Sequence, residues 1–135
     1  MPSAHERIYE RMERLVQKLI AKSKLGMPII VEGRKDERSL RRLGIEGNIL
    51  CMKSAGVGFF DFIERVKPSR EAIVLTDFDW EGKQLSLQLL KELTSNRIKA
   101  DDSFRKQFRA LCRSEVRSVE ELADYMERLR QIVVA

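Results

Sequence analysis

Three short, unbroken apolar runs separated by longer amphipathic stretches constrain this chain more than any other feature. They are Pro28-Ile29-Ile30-Val31, Asn48-Ile49-Leu50-Cys51-Met52 and Ala72-Ile73-Val74-Leu75. Short runs that are apolar at every position, rich in β-branched residues, read as strands buried on both faces. Between and around them the apolar residues recur at helical spacing. Ile8, Met12, Leu15 and Leu19 form one stripe on a helix over 3–24, which Gly26 and Pro28 end. Leu40 and Leu43 lie on a charged helix over 36–43 that stops at Gly44. The small-residue turn Ser54-Ala55-Gly56-Val57-Gly58 leads into a helix with Phe59, Phe62, Ile63 and Val66, and Pro68 closes it.

The third run leads into a long helix over 81–95 with Leu85, Leu89, Leu90 and Leu93 facing inward. A short fourth strand is expected over 97–100. Two more helices follow, one marked by Phe104, Phe108 and Leu111, the other by Val119, Leu122, Met126 and Leu129. Alternation of this kind predicts an α/β fold. It has a mainly parallel four-stranded sheet, helices on both faces, and extra helices at the N- and C-terminal ends. With 135 residues and no repeat, linker or low-complexity tract, a single domain is expected over 1–135, with its motif-bearing core at about 27–100.

No apolar run approaches the ~20 residues that cross a bilayer, and the first residues lack the apolar stretch of a secretory signal. A cytoplasmic protein without membrane contact is the expectation. Cys51 and Cys112 are far apart and form no CxxC, and with only His5 beside them they make no zinc set. Both are expected to behave as small buried hydrophobes. The net charge of +5 favours a polyanionic partner.

In open parallel sheets, ligands bind beyond the carboxyl ends of the strands, where strand order reverses. Three acids fall at such ends: Glu32 after the first strand, and Asp77 and Asp79 after the third. On extended backbone, residues i and i+2 point the same way, so the two aspartates can converge on one ion. Mg²⁺ takes hard oxygen ligands and keeps several waters, so one or two carboxylates plus a substrate phosphate suffice. Asp79 also stands where a helix N-cap is expected.

The residues Val31-Glu32-Gly33 with Lys35-Asp36, and Thr76-Asp77-Phe78-Asp79-Trp80-Glu81-Gly82, resemble the two motifs of the Toprim domain. That domain is shared by topoisomerases, bacterial primases, several nucleases and the ribonuclease that matures 5S ribosomal RNA. The second motif is similar to the topoisomerase form Thr-Asp-x-Asp-x-Glu-Gly. The similarity covers about 27–95, and the flanking helices suit the small single-domain Toprim proteins of archaea and bacteria. The resemblance implies a Toprim fold, with Glu32 as general acid or base and Asp77 and Asp79 as the Mg²⁺ pair. Mn²⁺ would serve as a substitute ion. Glu32 is a further candidate ligand, and Glu81 matches a third acid of the topoisomerase pattern or serves only the helix dipole. Tyr9 and Tyr125 lie on amphipathic helices outside the core and read as packing or surface residues. The length leaves no room for topoisomerase gates or a primase polymerising domain. Receivers and haloacid-dehalogenase-like phosphatases place their acidic pair after the first strand, unlike this chain.

Basic residues surround these motifs. Arg34, Lys35, Arg38, Arg41 and Arg42 follow Glu32, and Lys83 lies one turn into the helix after the aspartates. Arg34, Lys35, Arg38 and Lys83 are the candidate phosphate contacts. Arg105, Arg109 and Arg113 repeat at steps of four and read as a solvated face. Trp80 is divided between stacking on a base and simple packing. Of Phe59 and Phe60, one is available for stacking, although partial burial against the N-terminal helix is favoured.

The function expected from these residues is Mg²⁺-dependent phosphoryl transfer on RNA or DNA, nuclease-like in kind. The alternative is a non-catalytic module that docks on nucleic acid or within a ribonucleoprotein. A protein partner in a larger nucleic-acid-processing complex, and a homodimer contact through Tyr9 and Val16, complete the expectations.

Overall fold

The computed structural model describes residues 1–134. Six α-helices and four strands alternate along the chain. The first half runs α1 (Ala4–Lys24), β1 (Ile29–Val31), α2 (Arg34–Arg42), β2 (Ile49–Cys51) and α3 (Phe59–Val66). The second half runs β3 (Glu71–Val74), α4 (Trp80–Ser95), β4 (Lys99–Asp101), α5 (Ser103–Cys112) and α6 (Leu122–Val134). A short 3₁₀ turn, Val119–Glu121, leads directly into α6.

The strands form one sheet in the order β2-β1-β3-β4, and all three pairings are parallel. The register sets Ile30 beside Leu50 on one side and beside Val74 on the other. Strand residues alternate between the faces, and the core accordingly divides in two. Ile29, Val31, Ile73 and Leu75 pack with α1, α2, α5 and α6. Ile30, Ala72 and Val74 pack with Phe62, Ile63 and Val66 of α3 and Leu89 and Leu93 of α4. Fully burying each such side chain stabilises by about 1.5–3 kcal/mol, which is why strands of three or four residues suffice. The α/β architecture with helices on both faces is therefore as the apolar runs predict.

The differences are local. The fourth strand begins at Lys99 because Arg97, with a positive φ of 61°, completes the turn after α4. On α4, Leu85 and Leu90 are half-buried, and Gly82 and Ser86 take inward positions. Phe59 packs with the α3 and α4 side of the sheet, away from α1, while Phe60 stays 76% exposed. Both cysteines are free. Cys112 is buried, whereas Cys51 is half-buried with its Sγ 3.4 Å from Glu37 Oε1. Val16 is buried in the core and Tyr9 is half-buried against it, so the α1 stripe is occupied within the chain. Tyr125 is buried as a packing residue. Among the described residues, no helix is long and apolar enough to cross a membrane.

Candidate functional site

β1 lies between β2 and β3, so the chain steps from β1 to β2 on one side and then crosses back past β1 to β3 on the other. The reversal places the ligand crevice above the carboxyl ends of β1 and β3. Glu32 follows β1 and Asp77 follows Leu75 and Thr76 beyond β3, which brings the two acids together at that crevice.

Glu32 is 8% exposed. Its Oε2 accepts the backbone N–H of Asp77 at 2.8 Å, and its Oε1 pairs with Lys53 Nζ at 3.2 Å. Lys53 leaves β2 and donates its own N–H to the Glu32 carbonyl. The glutamate thus ties together three strand ends. Hydrogen bonding and the charge of Glu32 raise the pKa of Lys53. In the first turn of α2, Asp36 Oδ2 accepts the N–H of Gly33 at 3.0 Å. This carboxylate is only 6% exposed, and burial, followed by the charges of Glu32 and Glu120, raises its pKa against the hydrogen bond from Gly33.

Asp77 Oδ1 accepts the N–H of Val119 at 2.9 Å. Burial pushes its carboxyl up to about 7, the Val119 hydrogen bond opposes the shift, and the charges of Asp36, Glu32 and Asp79 add to it. Asp79 is the N-cap of α4, with Oδ1 accepting Gly82 N–H at 2.7 Å. Capping occupies one oxygen of this exposed carboxylate. The second oxygens of Asp77 and Asp79 have no protein partner among the described residues.

Beneath the acids, the loop from β3 to α4 is pinned. Thr76 Oγ1 donates to the Gly82 carbonyl at 2.7 Å, and a Cβ on Gly82 would run into the Asp77 carbonyl. Arg105, 4% exposed, reaches up from α5. Its Nε donates to Thr76 Oγ1 and its Nη2 to the Asp77 carbonyl at 2.8 Å. Burial, then the neighbouring Arg109, lowers its pKa. Spacing on α5 predicts a solvated face for Arg105, Arg109 and Arg113. The structure corrects this for Arg105, which turns inward beside Phe104 and Phe108 and holds carbonyls of the site loop.

The basic residues divide as well. Arg34, Lys35, Arg38 and Lys83 are exposed, and none forms an ion pair among the described residues. Arg41 pairs with Glu37 and Arg42 with Asp124, so both guanidinium groups already have acidic partners within the chain. Glu81 is exposed in the first turn of α4. Lys53, Arg105 and the Val119 N–H are members of the site that sequence reasoning did not single out, and Asp36 stood there only as part of the first motif, without a role. The legible signal for Asp36 was an acid three residues after a helix cap.

No group of three or more His, Cys, Asp or Glu side chains among the described residues is drawn together as a cage for a metal ion. Both oxygens of Glu32 are engaged, so a four-carboxylate set of Glu32, Asp77, Asp79 and Glu81 is not preassembled. The chemistry nevertheless fits a hard cation held by fewer protein ligands. Asp77 and Asp79 each keep an oxygen without a protein partner, and the neighbouring carboxylates create negative charge that a divalent ion relieves.

Fold and site together define a small α/β protein with carboxylates gathered at the switch point of a parallel sheet. A UPF0292 protein of Methanosarcina acetivorans is 38% identical over 122 residues, covering 90% of this chain and 83% of that one. UPF0292 proteins of Methanosarcina barkeri and Pyrococcus furiosus are 36% and 32% identical, each again over 90% of this chain and over 84% and 88% of their own lengths. The chain belongs to the UPF0292 family. No protein-family model matches it. A solved structure from Aquifex aeolicus superposes with a TM-score of 0.68 at 23% identity, covering 80% of this chain and 94% of that one. At that identity it speaks to the fold alone.

Proposed function

We propose that this protein is a Toprim-type, Mg²⁺-dependent phosphoryl-transfer enzyme acting on RNA or DNA, nuclease-like in kind. One observation carries the reading: Glu32 accepts the Asp77 N–H where β1 and β3 end side by side at the sheet's switch point, with Asp79 two residues further on as the N-cap of α4. Asp77 and Asp79 would hold Mg²⁺ through their oxygens that lack protein partners, and the ion would supply charge neutralisation at a phosphoryl group. Glu32, held by the Asp77 N–H and Lys53, is positioned to hold or move a proton at the attacking or leaving oxygen. Lys53 occupies Oε1 of Glu32 until a substrate or ion takes over that contact. Arg34, Lys35, Arg38 and Lys83 would bind backbone phosphates around the crevice.

The engagement of both Glu32 oxygens favours a second reading, a docking module that binds nucleic acid without cutting it. Purified protein incubated with labelled structured RNA, single-stranded DNA and duplex DNA separates the two. Under the enzyme reading, cutting requires Mg²⁺ or Mn²⁺, stops in EDTA, and is lost in Glu32→Gln and Asp77→Asn. Binding without cutting by the wild type overturns the enzyme reading in favour of the docking module.

A further inference from the structure

Beside the acidic crevice, on the α5 side of Asp79, lies a groove of about 580 Å³ lined by Trp80, Arg109, Arg113 and Arg117 together with Phe78 and Asp79. Trp80 is 73% exposed, so it packs against nothing that would account for an indole at this position. An indole this open beside a basic groove presents a free face on which a planar ring can stack. Arg109, Arg113 and Arg117 are exposed and form no ion pair among the described residues. The carboxylate of Glu121, close by, accepts the backbone N–H of Arg117. Among the described residues, Asp79 is the only acid lining the groove.

The groove is also fixed relative to the acids. Phe78 donates its N–H to the Arg117 carbonyl at 2.8 Å, and Val119 donates to Asp77 Oδ1. The segment carrying Arg117 is therefore stitched to the loop carrying Asp77 and Asp79. Arg113 terminates α5 with a φ of 51°, a conformation uncommon for a residue other than glycine.

An exposed indole ringed by unpaired guanidinium groups suits a nucleotide whose base is free to stack and whose phosphates are negative. A base inside a duplex offers no free face to such a ring. We propose that this groove binds an unpaired nucleotide of a single-stranded nucleic acid, its base on Trp80 and its flanking phosphates on Arg109, Arg113 and Arg117. The strand then passes over Asp79 into the crevice. This deepens the phosphoryl-transfer reading and rests on it for the direction of the strand, making single-stranded RNA or DNA the substrate class.

Trp80 is the only tryptophan in the chain, so fluorescence excited beyond the absorption of Tyr9 and Tyr125 reports on this groove alone. The test titrates wild-type protein with oligouridylate, with oligodeoxythymidylate and with a blunt duplex, all in EDTA so that cleavage plays no part. Labelled strands followed by fluorescence anisotropy provide a second readout. The expected result is quenching of Trp80 by one or both single strands, with the duplex binding roughly tenfold or more weakly. Trp80→Ala should weaken single-strand binding by a similar factor. The pair Arg109→Ala and Arg113→Ala should lower the salt dependence by about 0.7 per arginine removed. The stronger of the two strands then identifies the sugar preferred.

Equal affinity for duplex, single-strand binding without quenching, or an unaffected Trp80→Ala variant would each overturn the proposal. Repeating the titration with Asp77→Asn separates this failure from failure of the catalytic reading. Quenching without cleavage in the wild type leaves the groove standing and removes the enzyme, whereas cleavage without quenching does the reverse.

Discussion

Asp77 stands under opposing demands. The Val119 N–H favours its carboxylate, while burial and the charges of Asp36, Glu32 and Asp79 favour the neutral acid, and burial prevails. Its pKa rises from an ordinary 3.8 to about 7 on folding. Between those values the folded protein keeps a proton that the unfolded chain has released, so stability must fall as pH rises through that window. Above about pH 7 the loss is complete. Asp77→Asn keeps an acceptor for Val119 and cannot ionise. Thermal melts across the window should show a flatter profile for the variant, and a Tm near pH 8 a few degrees above wild type, at roughly 4 °C per kcal/mol. Asp36, shifted in the same direction, leaves some slope behind. A wild-type slope that persists in full in Asp77→Asn would show that the charge repulsion lies elsewhere. The positions of Glu32 and Asp77 beyond the ends of β1 and β3, and of Asp79 as the N-cap of α4, were legible in the sequence because apolar runs mark strand ends and a short acid marks a helix start. Lys53 and Arg105 were not, since each matters through one contact made across distant segments.

At the scale of elements, the turn from β3 into α4 is the part whose geometry the site depends on most. The first turn of α4 lies so close to the Asp77 carbonyl that only glycine fits at position 82. Arg105 holds that same carbonyl from below. Gly82→Ala should force the loop outward and cost about 1–3 kcal/mol by the ordinary penalty for overpacking. Gly33→Ala is the contrast: its new Cβ would come no nearer than 4.0 Å to Asp36 Oδ2. Denaturant unfolding of both variants checks this, with Gly33→Ala expected within about 1 kcal/mol of wild type. Equal losses in the two would refute the close-approach argument. β1, β2 and β3 were readable because their runs supply apolar residues to both faces and the sheet is covered on both, whereas the edge strand β4, Lys99–Asp101, carries no such run and its start was misplaced. The 3₁₀ turn Val119–Glu121 was not readable, because Val119 continues the apolar spacing of the helix that follows it. Arg105 was misplaced for a related reason: a four-residue step fixes which residues share a face, not which face meets the sheet.

For the whole molecule, the all-parallel order β2-β1-β3-β4 sets the location of everything else. One reversal in strand order yields one crevice, and the chain's clustered acids lie at it. Exposed cations of α2 and the arginine groove beyond α5 flank those acids, consistent with a polyanion lying across this end of the sheet. A net charge of +5 hinted at such a partner but held no information on where the positive charge gathers. The central claim is that Asp77 and Asp79 bind a divalent cation at that end. Its most direct test is titration with Mn²⁺ followed by electron paramagnetic resonance, in wild type, Asp77→Asn and Asp79→Asn. The account predicts a saturable Mn²⁺ site in the wild type, displaced by Mg²⁺ and lost in both variants. Absence of saturable binding in the wild type, or binding unchanged by either substitution, would contradict it.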